Sequence, residues 1–131
     1  MKTIFRFTDH VRQRYAQRIL NEKNHNQIKN LDSMIIHDIK DASEKREYLN
    51  LPRFVLYLWE KYGGTKHTRI FESEKAIYIA TKEPDKGYMS VLTCWNKNDD
   101  YSFGAKGIFR TSVLSNTEIY NRIAVLKTKR R

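Results

Sequence analysis

Apolar residues between positions 9 and 20 recur at helical spacing: at about 100° per residue, Val11, Tyr15, Ala16 and Ile19 share one arc. His10, Arg14, Gln17 and Arg18 share another, and Arg12 falls among the apolar positions against the pattern. Thr8 is placed to cap this helix and Asp9 puts an acid in its first turn, where the helix dipole favours negative charge. Before it, "MKTIFRF" alternates briefly and ends in Phe5-Arg6-Phe7, which predicts a short strand or arm. After the polar linker "NEKNHNQ" (21–27), the stripe Leu31, Ile35 and Ile39 predicts a second helix over 28–42, with His37 off the stripe and on the surface. The run "NLPRFVLYLWEKYGG" is apolar enough for a buried strand or a buried helix. Pro52 at its start and Gly63-Gly64 at its end favour the helix.

Beyond Gly64 the period changes. "TKHTRIF", "KAIYIAT" and "YMSVLTCW" are rich in β-branched and aromatic residues and are separated by "ESE" and "KEPDKG", the pattern of an antiparallel meander. "GIFRTSV" (107–113) predicts a fourth strand, and "SNTEIYNRIAVLK" a closing helix over 116–127 with Ser115 or Asn116 as its cap. The expected fold is therefore α+β: N-terminal helices packed on a four-stranded antiparallel sheet spanning about 66 to 113, with a C-terminal helix. With 131 residues, no internal repeat and no long linker, one domain (1–131) ending in a basic tail is expected.

Charge changes the picture from fold to partner. Lys and Arg number 25 against 15 Asp and Glu, a formal net charge of +10, and the surplus gathers at both ends of the chain. A polyanion is the expected partner, RNA by preference; a solubility surplus is the plainer explanation of the same numbers. No segment joins a basic face to a strongly apolar one, and the first twenty residues hold no long apolar run, so neither a membrane partner nor a secretory signal is expected and a cytoplasmic location is. Cys94 is the sole cysteine, which excludes an intrachain disulfide and predicts a buried thiol.

Several chemistries lack their residues. "YGGTKH" does not have the spacing of a nucleoside-triphosphate loop, there is no HExxH or GxSxG, and no cofactor or metal is expected. Asp38 and Asp41 could hold magnesium in a nuclease, but i, i+3 acids on a helix surface are ordinary. What is present suits metal-independent RNA cleavage, which needs a base for the ribose 2′-hydroxyl, cations for the phosphorane oxygens and an acid for the departing 5′-oxygen. His10, Arg14 and Arg18 line one helix edge, and a period of two sets His67, Arg69 and Phe71 on one side of a strand. His10, Arg14 and His67 are the catalytic candidates. Arg14, Arg18, Arg69, Lys127, Lys129, Arg130 and Arg131 are the candidate nucleic-acid grips. The competing reading makes the helix row a solvated face and His67 with Arg69 an exposed strand face. Tyr88 suits base stacking or proton transfer as well as packing, and Trp59 and Trp95 are core candidates.

The stretch "TDHVRQRYAQRI" resembles the His-x-x-x-Arg-x-x-x-Arg/Glu opening helix of small bacterial and phage ribonucleases of the RelE-like superfamily, RegB-type phage endoribonucleases included. The strands "HTRIF", "AIYIAT" and "MSVLTCW" are similar to that fold's meander. The resemblance covers residues 8–20 in motif and 66–113 in pattern, and His10, Arg14 and Arg18 match position by position. It implies a helical N-terminal half on a four-stranded antiparallel sheet and metal-free cleavage of messenger RNA, often with a ribosomal partner. His67 and Arg69 rest on the strand-face argument alone. Two functions are thus open: a metal-independent endoribonuclease of toxin or phage-effector type, or a non-catalytic basic protein that binds nucleic acid or blocks a nucleic-acid-handling enzyme.

Overall fold

The computed structural model describes residues 4–97 and 114–129, which gather into two compact units. The first, drawn from 4–45 and 67–97, holds a five-stranded sheet: β1 (Phe5–Phe7), β2 (Ser43–Glu44), β3 (Thr68–Glu72), β4 (Ala76–Thr81) and β5 (Met89–Asn96), in spatial order β1-β5-β4-β3-β2. After β1 the chain runs through α1 (Asp9–Arg18) and α2 (Leu31–Lys40) to β2, at the far edge of the sheet. It returns by antiparallel pairings until β5 lies parallel to β1.

The α+β class is as expected, but the sheet is mixed and five-stranded rather than antiparallel and four-stranded. The meander strands form where alternation predicts them. The added strands β1 and β2 are three and two residues long, too short for a period of two to register. The strand expected over 107–113 lies outside the described residues.

Local chemistry sets the helix ends. Thr8 stands at the N-cap of α1 in extended conformation, and its carbonyl, not its side chain, accepts from Val11 and Arg12. The second helix begins at Leu31 rather than 28, because Asn24 accepts from the Asn26 amide to form a 3-10 turn over His25–Gln27 and Asn30 takes a left-handed conformation (φ 60°). Val11, Tyr15, Leu31, Ile35 and Ile39 then pack on Ala76, Tyr78, Val91 and Cys94. Val91 and Cys94 differ by an odd number of positions yet face the same helices. The register passes from Ile79↔Thr93 to Ala80↔Val91, so Leu92 is the extra residue of a bulge and the strand changes face there.

In the second unit, drawn from 46–66 and 114–129, the ambiguous apolar run is a helix, α3 (Pro52–Tyr62). Pro52 supplies a preset first-turn φ, and Gly63 at φ 82° supplies the left-handed stop that side chains resist. The fourth helix, α4 (Asn116–Lys129), is capped by Ser115, whose Oγ accepts from the Glu118 amide at 3.2 Å. Leu56, Ile119 and Ile123 are buried between α3 and α4. Among the described residues no helix is long and apolar enough to cross a membrane.

Candidate functional site

The row His10, Arg14, Arg18 divides along α1. His10 is exposed, and Arg14 donates to Gln17 Oε1 at 3.2 Å, one turn on. Arg18 is built into the fold. Its Nη1 donates to the Cys94 carbonyl at 2.9 Å, its guanidinium stacks 3.7 Å from the centre of the Trp95 ring, and its own carbonyl accepts from Asn96 Nδ2. The cause is the shortness of β1, whose pairing stops at Phe7↔Val91 and leaves the outer edge of β5 beyond Val91 to be covered by the end of α1.

Nor does the strand pair form as expected. Arg69 does share a face with Phe71, but both its nitrogens that bond go to the Glu44 carboxylate on β2, and this contact raises its already high pKa. His67 precedes β3 in a left-handed conformation (φ 63°), which breaks the alternation that would have aligned it with Arg69. Its carbonyl accepts from the Lys82 amide at the end of the sheet where β4 finishes. Arg18 meets Cys94, level with Tyr78 and Phe71, so His67 sits four residues, about 13 Å, farther along the strands. His67 is thus set apart from Arg18 along the strands, and β4 and β5 lie between β3, which it precedes, and β1, which leads into α1.

A different histidine arrives there. His25 Nε2 lies 3.0 Å from Asp9 Oδ2, and its side chain is only 14% exposed. This tether places His25 at the N-terminal end of α1, beside the position that His10 follows in sequence. Arg12, the misfit of the apolar arc, makes a two-pronged bond to Asp32 of α2 at 2.6 and 3.1 Å and lies over Phe7. The bond to Asp32 is the main cause of its raised pKa. The linker sequence shows His25 only as one polar residue among seven, and nothing in the spacing links it to Asp9.

Deeper in this unit, Asp38 Oδ2 accepts from the Tyr78 hydroxyl and from Ser73 Oγ, the latter at 2.8 Å. Ser73 Oγ in turn accepts from the amides of Lys75 and Ala76, fixing the turn between β3 and β4. Burial, then the bond to Asp38, drives the Tyr78 phenol far above its usual range; burial, then the charge of Asp38, pushes Tyr15 up to about 12. Cys94 is buried as expected, and burial pushes its thiol up to about 12. All three groups are protonated at neutral pH, so none is an activated nucleophile. Asp38 and Asp41 are not gathered for magnesium: Asp41 lies 3.6 Å from the exposed His37, while Asp38 serves Tyr78 and Ser73. Beside Asp38 opens a cleft of about 340 Å³ lined by Tyr15, Ser33, Met34, His37, Asp38 and Lys75.

Of the remaining grips, Lys127 lies 5.6 Å from the Trp59 ring centre and Lys129 is exposed on α4; Arg130 and Arg131 lie outside the described residues. Tyr88, half-buried just before β5, is covered by the Arg6 guanidinium at 4.0 Å. Trp95 is buried as expected of a core residue, and Trp59 is half-buried in the second unit. Comparison of the chain with protein-family models, curated proteins and solved structures gave no match.

Proposed function

We propose that this protein binds RNA along the exposed edge of α1 and cleaves it without a metal, with His10 and His25 as the acid–base pair and Arg14 as the phosphate grip. One observation carries this reading: the Asp9–His25 contact sets a second imidazole at the helix end that bears His10. His10 takes the proton of the ribose 2′-hydroxyl as the 2′-oxygen bonds to phosphorus. The bond from phosphorus to the 5′-oxygen breaks, and His25 gives that oxygen a proton. Arg14 balances the charge of the phosphorane oxygens. The products are a 2′,3′-cyclic phosphate and a 5′-hydroxyl. Asp9 supports the reaction by fixing the ring of His25. The likeness of "TDHVRQRYAQRI" to RelE-like and RegB-type ribonucleases supports the roles of His10 and Arg14 and suggests messenger RNA, on or off the ribosome, as substrate.

The test is incubation of purified protein with labelled RNA in excess chelator, on naked RNA and on translating ribosomes, with the product ends analysed. Cyclic phosphate ends that vanish in both His10→Ala and His25→Ala support the reading; no cleavage of either substrate overturns it. A second reading, a non-catalytic basic protein that binds nucleic acid or a nucleic-acid-handling enzyme, draws on the commitment of Arg18 and Arg69 to protein partners. That outcome would show as RNA retention without product.

A further inference from the structure

The cleft beside Asp38 has the marks of a binding site. It is lined by one residue of α1, four of α2 and Lys75 from the turn between β3 and β4. At about 340 Å³ it falls within the range of small-molecule pockets and has room for a planar base with part of its sugar. Its walls combine apolar surface, from Met34 and the Tyr15 ring, with a few polar groups, the composition that orients a ligand.

Two of those polar groups keep hydrogen-bonding capacity that no described residue fills. Tyr15 is 1% exposed, lines the cleft and makes no side-chain hydrogen bond to any described residue. Among the described residues the fully buried side-chain polar atom without a partner is Trp95 Nε1, so the Tyr15 hydroxyl keeps access to the cleft that it lines. Asp38 Oδ2 is filled by Tyr78 and Ser73, whereas Oδ1 accepts nothing from the described residues. The inner end of the cleft therefore offers a carboxylate oxygen and a hydroxyl to a ligand that donates hydrogen bonds. Its rim offers the ammonium of exposed Lys75 and the ring of exposed His37 to a ligand that carries negative charge.

We infer that this cleft binds one nucleotide, with an amine-bearing base inserted toward Asp38 and Tyr15 and the phosphate at Lys75. An exocyclic amine gives Asp38 Oδ1 a donor. Uracil presents its single N–H between two carbonyl oxygens, which would face the carboxylate and repel it. Met34 and the Tyr15 ring give the base apolar surface to lie against, and Lys75 supplies the point charge a phosphate takes. A free nucleotide and an unpaired nucleotide of an RNA strand present the same chemistry to the cleft. Its identification as part of RNA rests on the function proposed above, while the chemistry of the cleft does not.

The experiment is titration of the full-length protein with adenosine monophosphate, uridine monophosphate and inorganic phosphate, followed by amide chemical shifts and calorimetry. Adenosine monophosphate should bind at least tenfold more tightly than either of the others and shift amides at 33–38 and 73–76. Tyr15→Phe, which keeps the buried ring, should weaken it about tenfold. Lys75→Ala should remove much of its salt dependence, and Ser33→Phe should fill the cleft and abolish binding while the melting temperature holds. The inference is overturned if adenosine monophosphate causes no shift at millimolar concentration, if folded Tyr15→Phe and Ser33→Phe bind as the parent does, or if inorganic phosphate binds equally well. The source is settled by a short adenine-containing RNA carrying the Arg14→Gln test: strand binding that falls in both Ser33→Phe and Arg14→Gln makes the cleft a subsite for RNA. Mononucleotide binding that persists in a protein without any RNA affinity keeps the cleft as a nucleotide site and removes only the RNA reading.

Discussion

The two ends of α1 carry the same kind of side chain at the same spacing and do opposite things. At the N-terminal end His10 is exposed and His25 is held on Asp9. At the C-terminal end Arg18 is fastened to the Cys94 carbonyl and the Trp95 ring. Helical periodicity treats His10, Arg14 and Arg18 as one row because it knows only angle. What separates them is the neighbouring strand: β1 ends at Phe7, and an edge of β5 that water or another chain would otherwise meet is closed by Arg18. A row that spacing presents as one unit can thus be committed to architecture at one end and left exposed at the other.

The sharpest way to break this contrast is at the open end. His10→Ala should lower the cleavage rate by about 10²–10⁴ while RNA affinity stays nearly constant, as expected for loss of a proton-transfer group. His25→Ala should act alike, and His67→Ala should leave the rate unchanged because β5 and β4 lie between β1, which leads into α1, and β3, which His67 precedes. Rates read by single turnover on labelled RNA decide it; a His67 effect as large as that of His10 would return the acid to β3. Thermal melts on each variant separate lost chemistry from lost fold.

At the closed end the readout is stability. Arg18→Ala removes a charged hydrogen bond to a backbone carbonyl and a stacked cation, and should cost about 2–4 kcal/mol in chemical denaturation. It should leave the salt dependence of RNA binding unchanged. A variant as stable as the parent but with a shallower salt slope would place Arg18 on RNA after all.

These contrasts also mark what could be read from the residues. The helix stripes, the meander strands, the Pro52-to-Gly63 helix and the buried thiol were legible because each is a local pattern with many positions voting for it. β1 and β2 were not, because strands of three and two residues have no period. The Asp9–His25 and Arg12–Asp32 contacts join residues 16 and 20 positions apart through a turn whose geometry depends on Asn24 and Asn30. The expected alignment of His67 with Arg69 was lost to a single dihedral angle, since one left-handed residue cancels a period of two. Asp38 could be seen as an acid on a helix, but its pairing with Tyr78 needed the register of β4.

Between the two ends, the inner face of α1 offers a test by pH. Tyr15 has its folded-state pKa raised to about 12 against an unfolded value near 10. The folded protein holds this proton more tightly, so the contribution is complete below pH 10 and is lost as pH rises from about 10 through 12. The loss amounts to about 2–3 kcal/mol for this group. Tyr78 is shifted in the same direction by burial and Asp38. Denaturation midpoints measured from pH 8 to 12 should fall beyond pH 10, and Tyr15→Phe should flatten that fall. A midpoint flat to pH 12 in the parent would mean that Tyr15 reaches solvent and titrates freely.

The smallest effect belongs to Arg14, and it separates an RNA grip from a wet helix face. Gln17, which accepts from Arg14, lies on the same exposed turn, so Arg14→Gln should change stability by no more than about 0.5 kcal/mol. If Arg14 neutralises one phosphate, the slope of log affinity against log salt should fall by about 0.7 on single-stranded RNA. Affinity measured at four or more salt concentrations, with His10→Ala as the host to prevent cleavage, gives that slope directly. Arg18→Ala in the same series should leave it alone. A drop with Arg14 and none with Arg18 would divide the row where the structure divides it, at the point where β1 stops and β5 needs a cover. No drop with either would make the open edge a solvated face, and the cationic grip would then have to lie elsewhere, with Lys127 and Lys129 on α4 the next positions to vary.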